Sequence, residues 1–362
     1  MEQVCFAPSP PDISCSAPEM LKISPATGDA VSSFDPMKTW FLSLQETGEF
    51  IGIRFGRIPS GATDPAWVYL AHTDVDGIGG FAQMLRQKGV SLPKLPQIRH
   101  PAEPSRLALM RSLPKFLVPQ RKLQWDLEGP TAPGNSTTPP KAVAWHVFSE
   151  SETQQIRRVC RKSSITVNSF LLKHLSKAVR LSLRDQSSTI PWMIPVNLRG
   201  KINRSSDIAN HTSYATVKVR SYDTVHDVHH RVYEALERGE HWANWYSYDS
   251  SRILTAGMRR YLIRIEKCMS EWNLGSFSNL GDWDPECKIT HSDLTGSWLF
   301  APPVLRCQPV GVGCVTFQNR MGLVVQLHPE ATTNSAVPRA WMDHWVKEIE
   351  IDLASLLASP VS

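Results

Sequence analysis

No stretch of the 362-residue sequence approaches the roughly 20 consecutive apolar residues that a membrane-spanning helix requires. Nor does the N-terminus, with Glu2, Pro8, Pro10 and Pro11, carry the charged-then-apolar pattern of a secretory leader. Cysteine is sparse: the seven are odd in number and form no CxxC pair, which argues for reduced thiols in a cytoplasm rather than a disulfide framework. Strong net charge is also missing. The balance of +5 is modest and the basic residues are scattered, so nucleic-acid binding has no stripe to rest on. Steering of an anionic ligand such as a phosphorylated carrier and plain solubility explain that charge equally well. There is no Walker-type or GxGxxG loop, and Gly311-Val312-Gly313 sits in a strand pattern, so nucleotide chemistry is not expected. What is present is ordinary globular material, 41% hydrophobic and 20% charged, long enough for two domains or one large body with two cores.

The chain divides by composition. Residues 1–36, rich in Pro, Ser and Ala, read as an irregular arm; residues 37–128 as an N-terminal lobe; residues 129–141 as a linker; and residues 142–362 as a C-terminal lobe. Thr39 to Ser43 and the alternating run Phe50 to Ile58 predict strands, as does Ala66 to Ala71 beyond the Gly61 to Pro65 loop. A short helix over Arg106 to Phe116 fits the proline-rich middle. In the second half, Ala142 to Phe148 predicts a strand, and Ser149 with Glu152 a capping box for a helix to about Arg161. Further helices are expected at Ile165 to Arg184, Thr224 to Glu240, Met258 to Ser270 and Pro338 to Leu357. Strands are expected at Thr189 to Leu198, Ser213 to Val219, Val310 to Phe317 and Met321 to Leu327.

One stretch concentrates the chemistry: Ala71-His72-Thr73-Asp74-Val75-Asp76-Gly77. A buried strand runs into it, and a helix with apolar residues at Ile78, Phe81, Ala82 and Leu85 leaves it, with Gly89 at its end. A strand end fixes an imidazole, as a general base requires. Asp76 is placed to cap the new helix through Ile78 or Gly79, and Gly77 leaves room for a ligand or close chain approach.

The stretch resembles the HxxxDG signature of the chloramphenicol acetyltransferase-like and condensation-domain superfamily. Wax ester synthases and bacterial alcohol acyltransferases are the nearest types. Its members often write HHxxxDG; here Ala71 stands at the first histidine. The likeness extends in order through Val167-Asn168-Ser169-Phe170, Pro195-Val196-Asn197-Leu198-Arg199, Ser278-Asn279-Leu280-Gly281 and the strand pair and helix of Val310 to Leu357, covering about residues 50–357. One departure is the strand-helix unit with an HPxLR-like motif that members carry ahead of this hairpin, for which the chain has too little patterned sequence, so the resemblance implies that the N-terminal lobe of residues 37–128 is shortened.

The resemblance implies a two-lobed α/β fold, mixed sheets flanked by helices, with a cleft between the lobes. It implies an acyltransferase that moves an acyl group from a CoA or carrier-protein thioester to an alcohol or amine. No bound cofactor is implied: acyl-CoA or an acyl-carrier phosphopantetheine is the co-substrate, and an acyl carrier protein a possible partner. His72 would be the catalytic base. Asp76 and Gly77 would be structural, Asp76 pairing with an arginine for which Arg199 is the candidate. Ser278 or Asn279 would either donate to the oxyanion or form a turn. The alternative is a condensation-like module that binds without turnover. No metal is expected: His226, His229 and His230 lack an HExxH glutamate and a third ligand, and His241, Trp242, Trp245, Tyr246 and Tyr248 read as packing.

Overall fold

Where Thr39 to Ser43 predicts a strand, the chain forms helix α1, Pro36–Glu46, in the computed structural model. Two start signals outweigh the weak strand preference of Thr39, Trp40 and Phe41. Asp35 caps the helix by accepting a hydrogen bond from Lys38 N at 3.0 Å, and Pro36 takes the first position, where a missing N–H costs nothing. Burial of Met37 and Leu44 then holds the helix down. The structure describes residues 35–92, 94–97, 123–127, 137–204, 206–269, 274–283 and 296–358. The expected N-terminal arm, the helix over Arg106 to Phe116 and most of the linker fall outside these residues.

Beyond α1 come strands β1 (Gly52–Ile58) and β2 (Ala66–Ala71), helix α2 (Gly77–Gln87) and strand β3 (Val143–Val147). Helices α3 (Glu150–Lys162) and α4 (Val167–Arg180) follow, then strands β4 (Ile190–Asn197) and β5 (Thr212–Val219). Helices α5 (Val225–Glu237), α6 (Glu240–Ser250) and α7 (Ala256–Met269) precede β6 (Gly275–Trp283), β7 (Ser297–Ala301), β8 (Val310–Phe317) and β9 (Arg320–Leu327). Helix α8 (Ala336–Ala358) closes the described chain. None of the described helices is long and apolar enough to cross a membrane.

The helix starts agree with their caps. Ser149 and Glu152 form the predicted box at α3, Thr224 and Asp227 a second at α5, and Thr166 caps α4. The helix expected from Thr224 to Glu240 breaks where Gly239 takes a positive φ of 69°, and α6 begins there. The sequence reading placed packing aromatics in that stretch but no helix.

Two sheets result. The smaller, β2-β1-β7, is antiparallel, with Gly52 opposite Ala71 and Phe55 opposite Phe300. The larger, β3-β9-β8-β6-β4-β5, is mixed: β6 runs parallel to β4 and β8, and the other neighbours are antiparallel. Strand β7 lies late in the chain yet completes the early sheet, so the two cores are stitched together by a crossover. The main core, including Phe170, Trp192, Phe277, Trp341 and Trp345, lies between the larger sheet and its helices. A second core around Phe55, Phe81, Trp298 and Phe317 lies under the smaller sheet and α2, and it takes Leu280 from β6 and Val315 from β8. This is an α/β fold of two sheets flanked by helices, and residues 72–76 stand at the seam between the two cores.

Candidate active site

Strand β2 stops at Ala71, and His72 opens a turn whose backbone N–H donates to Ile51 O at 3.1 Å. The imidazole Nδ1 lies 2.8 Å from Val75 O. A carbonyl only accepts, so Nδ1 carries the proton and Nε2 presents a lone pair. Nε2 has no partner among the described residues. Desolvation of the half-buried ring pushes its pKa below the usual histidine value, against the opposing pull of the Val75 carbonyl and the Asp76 charge. The group is therefore neutral near pH 7, with its free lone pair on the side away from the loop.

Asp76 does not face that ring. Its Oδ1 accepts from Gly79 N at 2.8 Å, capping α2 through the second of the two positions predicted, and from Arg199 Nη2 at 2.7 Å. Its Oδ2 accepts from Arg199 Nη1 at 2.9 Å, His211 N at 2.9 Å and Thr212 Oγ1 at 3.0 Å. Burial alone would raise the Asp76 pKa; the Arg199 charge and these hydrogen bonds reverse that and hold it below the ordinary carboxylate value. Arg199 spends its remaining donors on Asp207 O at 2.9 Å, Ala209 O at 3.1 Å and Asn197 Oδ1 at 3.1 Å. Asp76 and Arg199, which are 4% or less exposed, thus tie the start of α2 to the strand ends of the larger sheet.

Segment 207–212 is the part of the site that the sequence reading missed. Besides its bonds to Asp76 and Arg199, its Asn210 side chain, 1% exposed, reaches His72. Asn210 Nδ2 lies 3.4 Å from His72 O and 3.5 Å from Nδ1, while Oδ1 accepts from Thr212 N at 3.1 Å. Because the Nδ1 hydrogen is aimed at Val75, the bond to the carbonyl is the productive one. An Asn just ahead of a predicted strand was the available signal.

Gly77 is required by close approach. A methyl group there would come within 2.6 Å of Leu280 Cδ2 and 2.9 Å of Phe300 Cζ, so β6 and β7 press on the start of α2. Ser278 and Asn279 lie within β6 and not in a turn. The irregularity falls later, where register shifts between Asn279 and Asp282 and Gly281 takes a φ of 84°. Asn279 points toward α4: its amide donates to Asn168 Oδ1 at 2.6 Å and its Oδ1 accepts from Gly281 N at 2.8 Å. Ser278 shares the opposite face with Leu280, is 8% exposed, and its hydroxyl has no partner among the described residues. Asp74 pairs with Lys38 of α1 at 2.8 Å.

Cysteine chemistry does not compete here. Burial pushes the Cys314 thiol, opposite Asn279 on β8, up to about 12, so it stays protonated. His226 bonds Ser163 O at 3.1 Å, and His229 Nδ1 accepts from Thr166 N at 3.3 Å. Among the described residues no group of three or more His, Cys, Asp or Glu is arranged to hold a metal ion.

No protein-family profile matches the chain, and no curated protein matches it in sequence. Solved structures do. The wax ester synthase/diacylglycerol acyltransferase from Marinobacter aquaeolei VT8 superimposes with a TM-score of 0.51 at 11% identity, over 88% of this chain and 99% of that one. The fold is the chloramphenicol acetyltransferase-like fold. The TRI3 trichothecene 15-O-acetyltransferase from Fusarium sporotrichioides shares it at a TM-score of 0.50 and 12% identity, over 80% of this chain and 67% of that one. So does the EpoB nonribosomal peptide synthetase cyclization-docking bidomain from Sorangium cellulosum, at 0.50 and 10%, over 81% of this chain and 60% of that one. At such identities the likeness is one of fold.

Proposed function

We propose that the chain is an acyltransferase that moves an acyl group from a CoA or carrier-protein thioester to an alcohol or amine, with His72 as general base. The observation that carries the reading is the state of the imidazole. Its Nδ1 is tied to Val75 O, its Nε2 is without a partner among the described residues, and desolvation keeps it neutral. In this chemistry Nε2 takes the proton from the acceptor hydroxyl or amine as that group attacks the thioester carbonyl. The tetrahedral intermediate then breaks its C–S bond, and the departing thiolate takes the proton from the imidazolium. Charge builds on the former carbonyl oxygen meanwhile, and a donor aimed at it lowers the barrier. Of the two residues predicted for that task, Ser278 has the uncommitted group, whereas the Asn279 amide is spent on Asn168. Asp76, Gly77 and Arg199 hold the loop in place and transfer no proton.

A second reading, a condensation-like module that binds without turnover, draws on Phe41, whose ring lies against one face of the imidazole. The deciding experiment is a screen of acyl thioesters against alcohols and amines, read out as free thiol release, with His72→Ala as control. Thiol release that depends on both acceptor and His72 supports the enzyme. No release by the wild type with any thioester would favour the binding module.

A further inference from the structure

We infer that Phe41 of α1 is the wall of the acceptor subsite, admitting slim apolar alcohols to His72 and holding off those branched at the carbon that bears the hydroxyl. The inference rests on His72 being the base proposed above. The Phe41 and His72 ring centroids are 4.3 Å apart with planes inclined at 36°, so the phenyl ring covers one face of the imidazole. The Nδ1 edge is closed by the turn to Val75. A hydroxyl giving its proton to Nε2 sits about 3 Å away near the ring plane. Phe41 closes the space over that face of the imidazole, so a substituent that the hydroxyl-bearing carbon directs toward that face meets the phenyl ring. Phe41 is half-buried and packs on both the main core and the cluster of Leu44, Ile51 and Ile263.

A wall discriminates only if it is stiff, and α1 is held at three places. Asp35 pairs with Arg204 at 3.3 Å, Lys38 with Asp74 at 2.8 Å, and Glu46 with Arg260 at 2.8 Å. Met37 and Leu44 anchor the same helix in two different clusters. A hydrocarbon ring offers no polar partner, so the carbon skeleton beside the hydroxyl should be apolar.

The test compares 1-hexanol with 3-hexanol as acceptors for the wild type, Phe41→Ala and Phe41→Leu. One readout is kcat/KM from thiol release. The other is a titration of each alcohol followed by the His72 imidazole proton resonance, assigned with His72→Gln. Phe41→Ala should raise the preference for 3-hexanol over 1-hexanol by at least about tenfold, the scale of a methylene or two in a tight pocket. Phe41→Leu, which keeps the apolar packing, should fall between, and the pH profile should not move. An unchanged ratio in folded variants would overturn the inference, as would the failure of either alcohol to perturb His72. If the wild type turns over no thioester while the titration still follows Phe41, the acyltransferase reading falls and Phe41 stands only as the wall of an alcohol-binding site at His72.

Discussion

The Asp76 carboxylate and the Arg199 guanidinium meet as a two-pronged pair, Oδ1 to Nη2 at 2.7 Å and Oδ2 to Nη1 at 2.9 Å, out of reach of bulk solvent. Desolvating two charges offsets much of their attraction, so the pair's net contribution is smaller than its geometry suggests. Removing one partner is different, because the other charge stays buried. Asp76→Asn or Arg199→Ala is expected to cost about 3–5 kcal/mol in denaturant unfolding. The pH dependence has a definite sign. Asp76 titrates below its ordinary value of 3.8, so its stabilisation is whole above that value and is lost as pH falls through the lowered one. Acid titrations of the wild type and Asp76→Asn should converge at low pH. A variant as stable as the wild type at pH 7 would refute this account of the pair.

Gly79 tests the same junction sterically. A Cβ at this position would sit 1.9 Å from the backbone carbonyl oxygen of Ile208, in the segment that binds Asp76 and Arg199. Gly79→Ala, which by helix propensity alone should stabilise α2, is instead expected to destabilise by about 1–3 kcal/mol, as overpacking does. Equilibrium unfolding decides between the two signs.

The site was partly legible because one of its parts is local. His72, Asp76 and Gly77 lie within six residues at a strand-to-helix junction, whereas the pairing of Asp76 with Arg199, just past the strand expected over Thr189 to Leu198, is what the family resemblance implies. The Asn210 bond to His72 spans 138 residues and has no periodicity to announce it. In α1, Thr39, Trp40 and Phe41 favour a strand locally and mask the Asp35-Pro36 start signal, which hides the Phe41 contact as well. Strand β7 was missed since its five buried residues give no alternation, and its pairing with β1 is set by the crossover. For Asn210 and β7, tertiary contacts decided what local pattern left open; for α1, a local cap overrode local strand preference.

Asn210 should act on His72 through position alone. Its bond to the His72 carbonyl fixes the turn in which Nδ1 meets Val75 O, and it touches no reacting atom. Asn210→Ala should lower kcat by about 10- to 100-fold with little change in the KM for thioester, the scale expected when a catalytic group is misplaced by a fraction of an ångström to 1 Å. The His72 resonance should shift in the variant without any ligand. Loss confined to KM would instead make Asn210 a substrate contact.

His72 supplies the sharpest expectation. Its burial lowers the imidazole pKa from 6.5, while the Val75 hydrogen bond and the Asp76 charge pull the other way and are outweighed. A general base works deprotonated, so kcat/KM should be flat near neutral pH and fall on the acid side through an apparent pKa below 6.5. A free imidazole would place that limb at about 6.5. His72→Ala should lose about 10²–10⁴ in turnover, the usual contribution of a positioned proton acceptor, while staying folded and keeping its thioester affinity. His72→Gln, which keeps more of the contact with Phe41, controls for the packing lost with the ring. An acid limb above 6.5 would mean that the Val75 hydrogen bond and the Asp76 charge outweigh desolvation. Undiminished turnover in His72→Ala would remove the base from the mechanism altogether.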